Sequence, residues 1–129
     1  MFLYTQVMPN RLRQGKETEA GRAEALRRFK AEVFRVLAHP TRIQIVECLR
    51  KTELPVSTLL EQVRVEPANL SQHLSVLRST KLVVTRKEGN QVFYSLRDPL
   101  LIDVLDSMRR YFQAHLEESL TMLADLDQS

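Results

Sequence analysis

A mainly α-helical chain with one β-hairpin is the fold class this sequence predicts, and three observations predict it. Prolines stand at the heads of four stretches with helical spacing, the spacing changes once to a period of two, and that change surrounds the one glycine that follows residue 22. A proline at the first helical position gives up only a donor that would have no partner there, so Pro40, Pro55, Pro67 and Pro99 each mark a helix start.

The elements follow in order. Leu26, Phe29, Val33 and Val36 recur at spacings of three and four, which predicts a helix over residues 18–37 behind a mobile polar tail of residues 1–17. After Pro40, Ile43, Val46 and Leu49 mark a short second helix. After Pro55, Leu59, Leu60 and Val63 mark a third. After Pro67, Leu70, Leu74 and Leu77 share one face of a fourth helix that ends near Lys81.

Leu82-Val83-Val84-Thr85 and the alternating Val92, Tyr94 and Leu96 then flank Glu88-Gly89-Asn90-Gln91, which reads as a β-hairpin with Gly89 at its tip. Asp98, a good N-cap, opens a final segment. There Leu101, Leu105, Met108, Phe112, Leu116, Leu120 and Leu123 form a stripe along a single helix to residue 126. About 28 residues at a rise of 1.5 Å make that helix roughly 42 Å long, more apolar stripe than one domain of this size covers alone. A short helix, a turn, a second helix and a two-stranded wing make a winged helix-turn-helix. The domain is expected over residues 18–129.

Composition agrees. The chain has 129 residues, 43% hydrophobic and 27% charged, which is the size and balance of one soluble globular domain. The single cysteine, Cys48, excludes an intrachain disulfide and any zinc site that needs two or four thiolates, which fits a reducing, cytoplasmic setting. The first ten residues lack a basic region, and no run of eighteen apolar residues occurs, so neither export nor membrane insertion is expected. Charge is unevenly placed: residues 98–129 carry two Lys/Arg against seven Asp/Glu, whereas residues 36–97 carry nine against five. Within residues 78–97, Arg78, Lys81, Arg86, Lys87 and Arg97 face Glu88 alone, the footprint of a polyanion site or of a solvated charged face.

With Leu70, Leu74 and Leu77 inward, Ala68, Gln72, Ser75 and Ser79 point away, flanked by Asn69 and Ser71. A small, polar helix face can enter a major groove unobstructed, and Asn and Gln carry the paired donor and acceptor that adenine requires. Read as ordinary surface, the same residues are merely soluble. The basic hairpin directly behind them favours the first reading, with Arg86, Lys87, Asn90 and Gln91 placed for phosphates or the adjacent minor groove. His73 falls between the exposed and buried faces. His115 and Glu118, spaced i, i+3, are candidate metal ligands completed by a partner chain, against the plainer reading of a solvated acidic face. Cys48 sits near core positions, as a small buried hydrophobe usually does. No phosphate loop, nucleophile elbow or His-Glu-x-x-His occurs, so no catalytic site and no cofactor is expected.

Three motifs together resemble the ArsR/SmtB family of bacterial repressors. They are Leu37-Ala-His-Pro-Thr-Arg-Ile-Gln-Ile-Val46, Asn69-Leu-Ser-Gln-His-Leu-Ser-Val-Leu-Arg78 and Gly89-Asn-Gln-Val-Phe-Tyr-Ser-Leu96, and the resemblance spans roughly residues 26–112. It implies a homodimer joined through the first and last helices, here by Leu26, Phe29, Val33, Leu101, Leu105, Met108, Phe112 and Leu116. It further implies a palindromic operator, released when an effector binds, and DNA contacts from Asn69, Ser71, Gln72, His73 and Ser75 on the recognition helix and from Arg86, Lys87, Asn90 and Gln91 on the wing.

The family's metal sites are not matched. Pro55 and Ser57 stand where a Cys-x-Cys would bind a soft metal, and the last-helix zinc set retains Asp98 but has Leu100, Tyr111 and Ala114 at its other positions. The expected function is thus a dimeric DNA-binding regulator, a repressor by resemblance, with double-stranded DNA and a second copy as partners and an effector the sequence does not name. The alternative is a protein–protein interaction module, a helical dimer that has lost DNA binding.

Overall fold

The structure is a computed structural model that describes residues 18–128, so the tail expected over residues 1–17 lies outside them. Helix α1 runs Glu19–Leu37 and α2 Pro40–Cys48. A two-residue strand, β1 (Leu54–Pro55), leads into α3 (Val56–Val63), and α4 follows at Pro67–Ser79. Strands β2 (Val83–Glu88) and β3 (Gln91–Leu96) form the hairpin, and α5 (Leu100–Ala114) and α6 (Leu116–Gln128) close the chain. It divides into two compact units, one up to Arg97 and one from Asp98 on.

Local chemistry sets the boundaries. Thr18 Oγ1 accepts from the Gly21 amide at 3.1 Å to cap α1, with Glu19 in its first turn and Arg35 in its last, each opposing the nearer pole of the helix dipole. His39 caps α2, its Nδ1 accepting from the Thr41 amide at 3.2 Å, and Pro40 follows in the first turn, as the sequence implies. Helix α4 ends in a Schellman motif. The Leu82 amide reaches back to Leu77 O at 3.0 Å and the Lys81 amide to Arg78 O at 3.0 Å, with Lys81 itself left-handed at φ 61°.

The hairpin turn is Gly89-Asn90, between the paired residues Glu88 and Gln91. Gly89 has φ +61° and Asn90 is not left-handed, the pattern of a type II′ turn. A Cβ at Gly89 would meet nothing within 4 Å, so the turn needs glycine for its backbone conformation and not for space.

Four expectations are corrected. The wing is not a two-stranded ribbon: β1 pairs antiparallel with β3 (Leu54 with Tyr94, Pro55 with Phe93), making a three-stranded sheet ordered β1-β3-β2. Pro55, having no amide hydrogen to give a ladder, sits where an edge strand permits it and becomes the N-cap of α3 rather than its first residue. The last segment is also two helices and not one. His115 leaves the helical region at φ −122°, ψ 23°, its amide closes α5 on Phe112 O at 3.1 Å, and its carbonyl accepts the first bond of α6 from Ser119 at 2.9 Å. Histidine holds a helix weakly, and Glu117 and Glu118 stabilise a new helix start by facing its positive pole. At the other end Pro99, not Asp98, occupies the N-cap of α5, although Asp98 Oδ1 still accepts from the Leu100 amide at 3.0 Å.

The core of the first unit is aliphatic. Val36, Ile45, Val46, Leu49, Leu59, Val63, Leu70, Leu74, Leu77 and Val83 are all buried, α2 packs on α1, α3 and α4, and α4 packs on β2. In the second unit Ile102 is buried, Leu101 and Leu105 are half-buried, and Met108, Phe112, Leu116, Leu120 and Leu123 are exposed. Among the described residues no helix is long and apolar enough to cross a membrane.

Candidate nucleic-acid interface

Helix α4 has two chemically distinct sides. Leu70, Leu74 and Leu77 are at most 2% exposed, which fixes the helix rotation against the core. Ala68, Asn69, Ser71, Gln72 and Ser75 are exposed on the other side, as the helical spacing requires. Among the described residues the side chains of Asn69, Ser71, Gln72 and Ser75 have no hydrogen-bond partner, so their donors and acceptors are available to a ligand. Ser79, one turn further on, is instead turned back on its own helix, donating to Val76 O at 3.0 Å.

His73 lies apart from that open face. It is half-buried, and its ring meets the His39 ring with centroids 4.3 Å apart at 50°. The helix cap of α2 and helix α4 are thereby packed directly together. Burial, and then the nearby His39 and Arg42, hold the His73 imidazole below its ordinary value of 6.5. The native chain therefore takes up that proton less readily than the unfolded chain. The stability contributed by neutral His73 is complete above about pH 6.5 and is lost as pH falls through the lower native value. Between pH 7 and pH 5 the thermal midpoint should drop further in the wild type than in His73→Gln. Equal drops in the two proteins would remove His73 from the account.

The wing separates two residues that the sequence pairs. Successive strand residues point to opposite faces, so Arg86 and Lys87 diverge. The Arg86 guanidinium lies over the Phe93 ring, 4.7 Å from its centroid, reaches across the central strand to both carboxylate oxygens of Glu53, and pairs with Glu88 two residues along its own strand. Its pairing with Glu53 and then Glu88 raises its pKa further above the ordinary value, while Arg86 lowers that of Glu53. Arg86 is thus engaged inside the wing, and a phosphate must compete with two carboxylates for it. Lys87, Asn90 and Gln91 are exposed, and Lys87 has no partner among the described residues. Glu53 is the functional residue that sequence reading misses, because its partner is 33 positions away and β1 is too short to leave a pattern.

The remaining candidates are plainer. His115 Nδ1 and Glu118 Oε2 stand 3.9 Å apart in the break between α5 and α6, and no group of three or more His, Cys, Asp or Glu side chains suited to a metal occurs among the described residues. Burial, and then Glu47, push the half-buried Cys48 thiol above its ordinary value, which disfavours the reactive thiolate.

A helix-turn-helix whose second helix offers an unobstructed polar face, followed by a β-wing with a free lysine, defines a winged helix-turn-helix protein. A helix-turn-helix domain family model matches residues 37–86, which takes in the helix-turn-helix and most of β2. The HTH-type transcriptional regulator Rv0081 of Mycobacterium tuberculosis is 39% identical over 105 residues, 81% of this chain and 92% of that protein. A transcriptional repressor SmtB homolog of Synechocystis is 36% identical over 89 residues, 69% of this chain and 64% of that protein. The crystal structure of Rv0081 matches with a TM-score of 0.66 at 38% identity, covering 74% of this chain and 96% of that one. A homodimeric winged helix-turn-helix DNA-binding domain from Mycobacterium bovis, a possible ArsR-family regulator, matches with a TM-score of 0.68 at 25% identity, covering 79% and 93%. The chain belongs to the ArsR/SmtB family of transcriptional regulators.

Proposed function

We propose that this protein is a transcriptional repressor that binds a palindromic operator as a homodimer, with α4 in the major groove and the wing along the backbone. The observation that carries the reading is the face of α4. Asn69, Ser71, Gln72 and Ser75 are exposed and free of internal partners on a helix whose opposite side is locked into the core. Gln72 and Asn69 are the base readers by chemistry, since each presents a donor and an acceptor together. Lys87 is the principal backbone contact of the wing, and Arg86 shapes the wing through Glu53 more than it reaches outward. His73 acts by holding α4 against α2 rather than by touching a base.

A second copy of the chain accounts for two exposed apolar surfaces. On α1, Leu26 is about half exposed (53%), and Met108, Phe112 and Leu116 are exposed on and just beyond α5. Two recognition helices related by a dimer axis then read half-sites about 10–10.5 base pairs apart, or a small multiple of that. No catalytic step belongs to this reading, and the compartment it requires is the one that holds the DNA, the cytoplasm.

The test is a pair of substitutions read on two DNAs. Gln72→Ala should cost about 1–3 kcal/mol on the operator and little on random DNA, whereas Lys87→Ala should weaken both alike and reduce the salt dependence by about one charge. Anisotropy titrations at two salt concentrations measure both. If Gln72→Ala lost as much on random sequence as on operator, its base-reading role would be refuted.

A further inference from the structure

Within the first unit an open pocket of about 530 Å³ is bounded by α1, by α2, by the C-terminal end of α4 and by the residue that follows β3. That volume is in the range of small-molecule sites. Its lining combines an apolar wall, Phe29, Val33 and Val76, with four basic side chains, Arg35, Arg42, Lys81 and Arg97, and a single carboxylate, Glu32. The carboxylate is already committed, because Glu32 forms an ion pair with Arg35 on the same helix. The hydroxyls of Ser79 and Thr80 are committed too, both donating to Val76 O. Neither Arg42 nor Arg97 has an ion-pair partner among the described residues.

Arg42 is half-buried and keeps one donor unmatched. Its Nε is buried and has no hydrogen-bond partner among the described residues. A guanidinium donor withdrawn from water and left unmatched is costly, and native proteins keep such groups where something else satisfies them. Nε itself is closed to the pocket, and an oxyanion there pairs with the accessible nitrogens of the half-buried Arg42, accepting from a guanidinium through two oxygens.

We propose that this pocket binds a small organic anion, its oxyanion head held by Arg42 and Arg97 and its apolar body against Phe29, Val33 and Val76, and that this anion is the effector that alters DNA affinity. The second clause rests on the DNA-binding reading above. The lining explains the coupling. Arg42 belongs to the helix that packs on α3 and α4, Lys81 is the left-handed residue through which α4 turns into the wing, and Arg97 follows the last residue of the sheet. A ligand that draws Arg42 and Arg97 together acts on the connection between recognition helix and wing. It shifts DNA affinity to the extent that it binds the free and DNA-bound arrangements unequally.

The probes are 2-naphthoate, its neutral counterpart 2-naphthylmethanol, and inorganic phosphate, each titrated into the whole 129-residue chain and followed by amide ¹H–¹⁵N shifts. 2-Naphthoate should give saturable shifts at Val33, Arg42, Thr80 and Arg97. Its binding should be at least ten-fold weaker in Arg97→Met and in Arg42→Met, with Arg42→Lys intermediate, and the alcohol should bind at least ten-fold more weakly than the acid. Arg97 is exposed, so its variant tests the site even if Arg42→Met unfolds the chain. Absence of saturable shifts at those amides, or undiminished binding in Arg97→Met, overturns the pocket. Phosphate binding as tightly as 2-naphthoate overturns the assignment to an organic anion. A parallel anisotropy titration on operator DNA should show at least a three-fold change on adding 2-naphthoate, absent in Arg97→Met. Pocket binding without that change overturns the effector role alone, and failure of the DNA-binding reading shows separately in the anion-free titration.

Discussion

Phe112→Glu should yield a monomer whose operator affinity is about 100-fold or more below that of the wild type. Phe112 is 51% exposed on α5, and exposed apolar side chains continue along α6 at Leu116, Leu120 and Leu123. Single exposed apolar residues are ordinary on a surface, but a cluster of them along two successive helices marks a surface that another molecule covers. A carboxylate placed in the middle of that contact would have to be buried without a partner, which an interface resists more strongly than a lost ring. The loss on DNA follows from valency. A dimer that has placed one recognition helix meets the second half-site at an effective concentration that raises overall affinity by about 10²–10⁴. Sedimentation velocity reads the first consequence and anisotropy the second. A Phe112→Glu protein that remained dimeric would show that these residues are not the dimer contact.

Leu74→Ala should lower folding stability by about 2–5 kcal/mol, a large share of the roughly 5–15 kcal/mol a domain of this size possesses. Leu74 is 2% exposed, and Leu59, Leu70, Leu77 and Val46 are as fully buried in the same core, so the lost volume leaves a cavity that rigid helix–helix contacts cannot close. Leu74→Met keeps most of the volume and should cost less than about 1.5 kcal/mol. Urea unfolding separates the two, and the contrast with Gln72→Ala is informative. Gln72 lies two positions away on the open side of α4, so its loss should leave the unfolding midpoint nearly unchanged while impairing operator binding. The same helix thus carries a buried stability face and, on the proposed function, a separate reading face that mutation can address independently.

Much of this architecture is legible in the chain because its signals are local. Pro40 and Pro67 stand in the first turns of α2 and α4, where their missing amide costs nothing, and Gly89 supplies the left-handed φ of the turn. The burial of Leu70, Leu74 and Leu77 follows from spacing alone, and with it the exposure of Asn69, Ser71, Gln72 and Ser75. What escapes the sequence depends on distant partners or on the balance of weak preferences. Strand β1 exists only because β3 offers it an edge, and its two residues leave no period to detect. Arg86 looks like a free wing cation until the fold brings Glu53 across Phe93 to meet it. The break at His115 replaces an uninterrupted apolar stripe with two helices, since neither proline nor glycine is needed when a weak helix former precedes two glutamates. The basic pocket is scattered over α1, α2, the end of α4 and the residue after β3, so no run of sequence announces it.

The central claim is that α4 reads a base sequence, and its most direct test is an anisotropy titration of the purified protein against the promoter fragment of its own gene and a scrambled fragment, at two salt concentrations. Tight binding to the promoter that falls steeply with salt, with the scrambled fragment at least 10³-fold weaker, is the result this account predicts. Equal affinity for the two fragments, together with a selection from random DNA that enriches no sequence, would contradict it and leave the helical dimer as a protein-binding module.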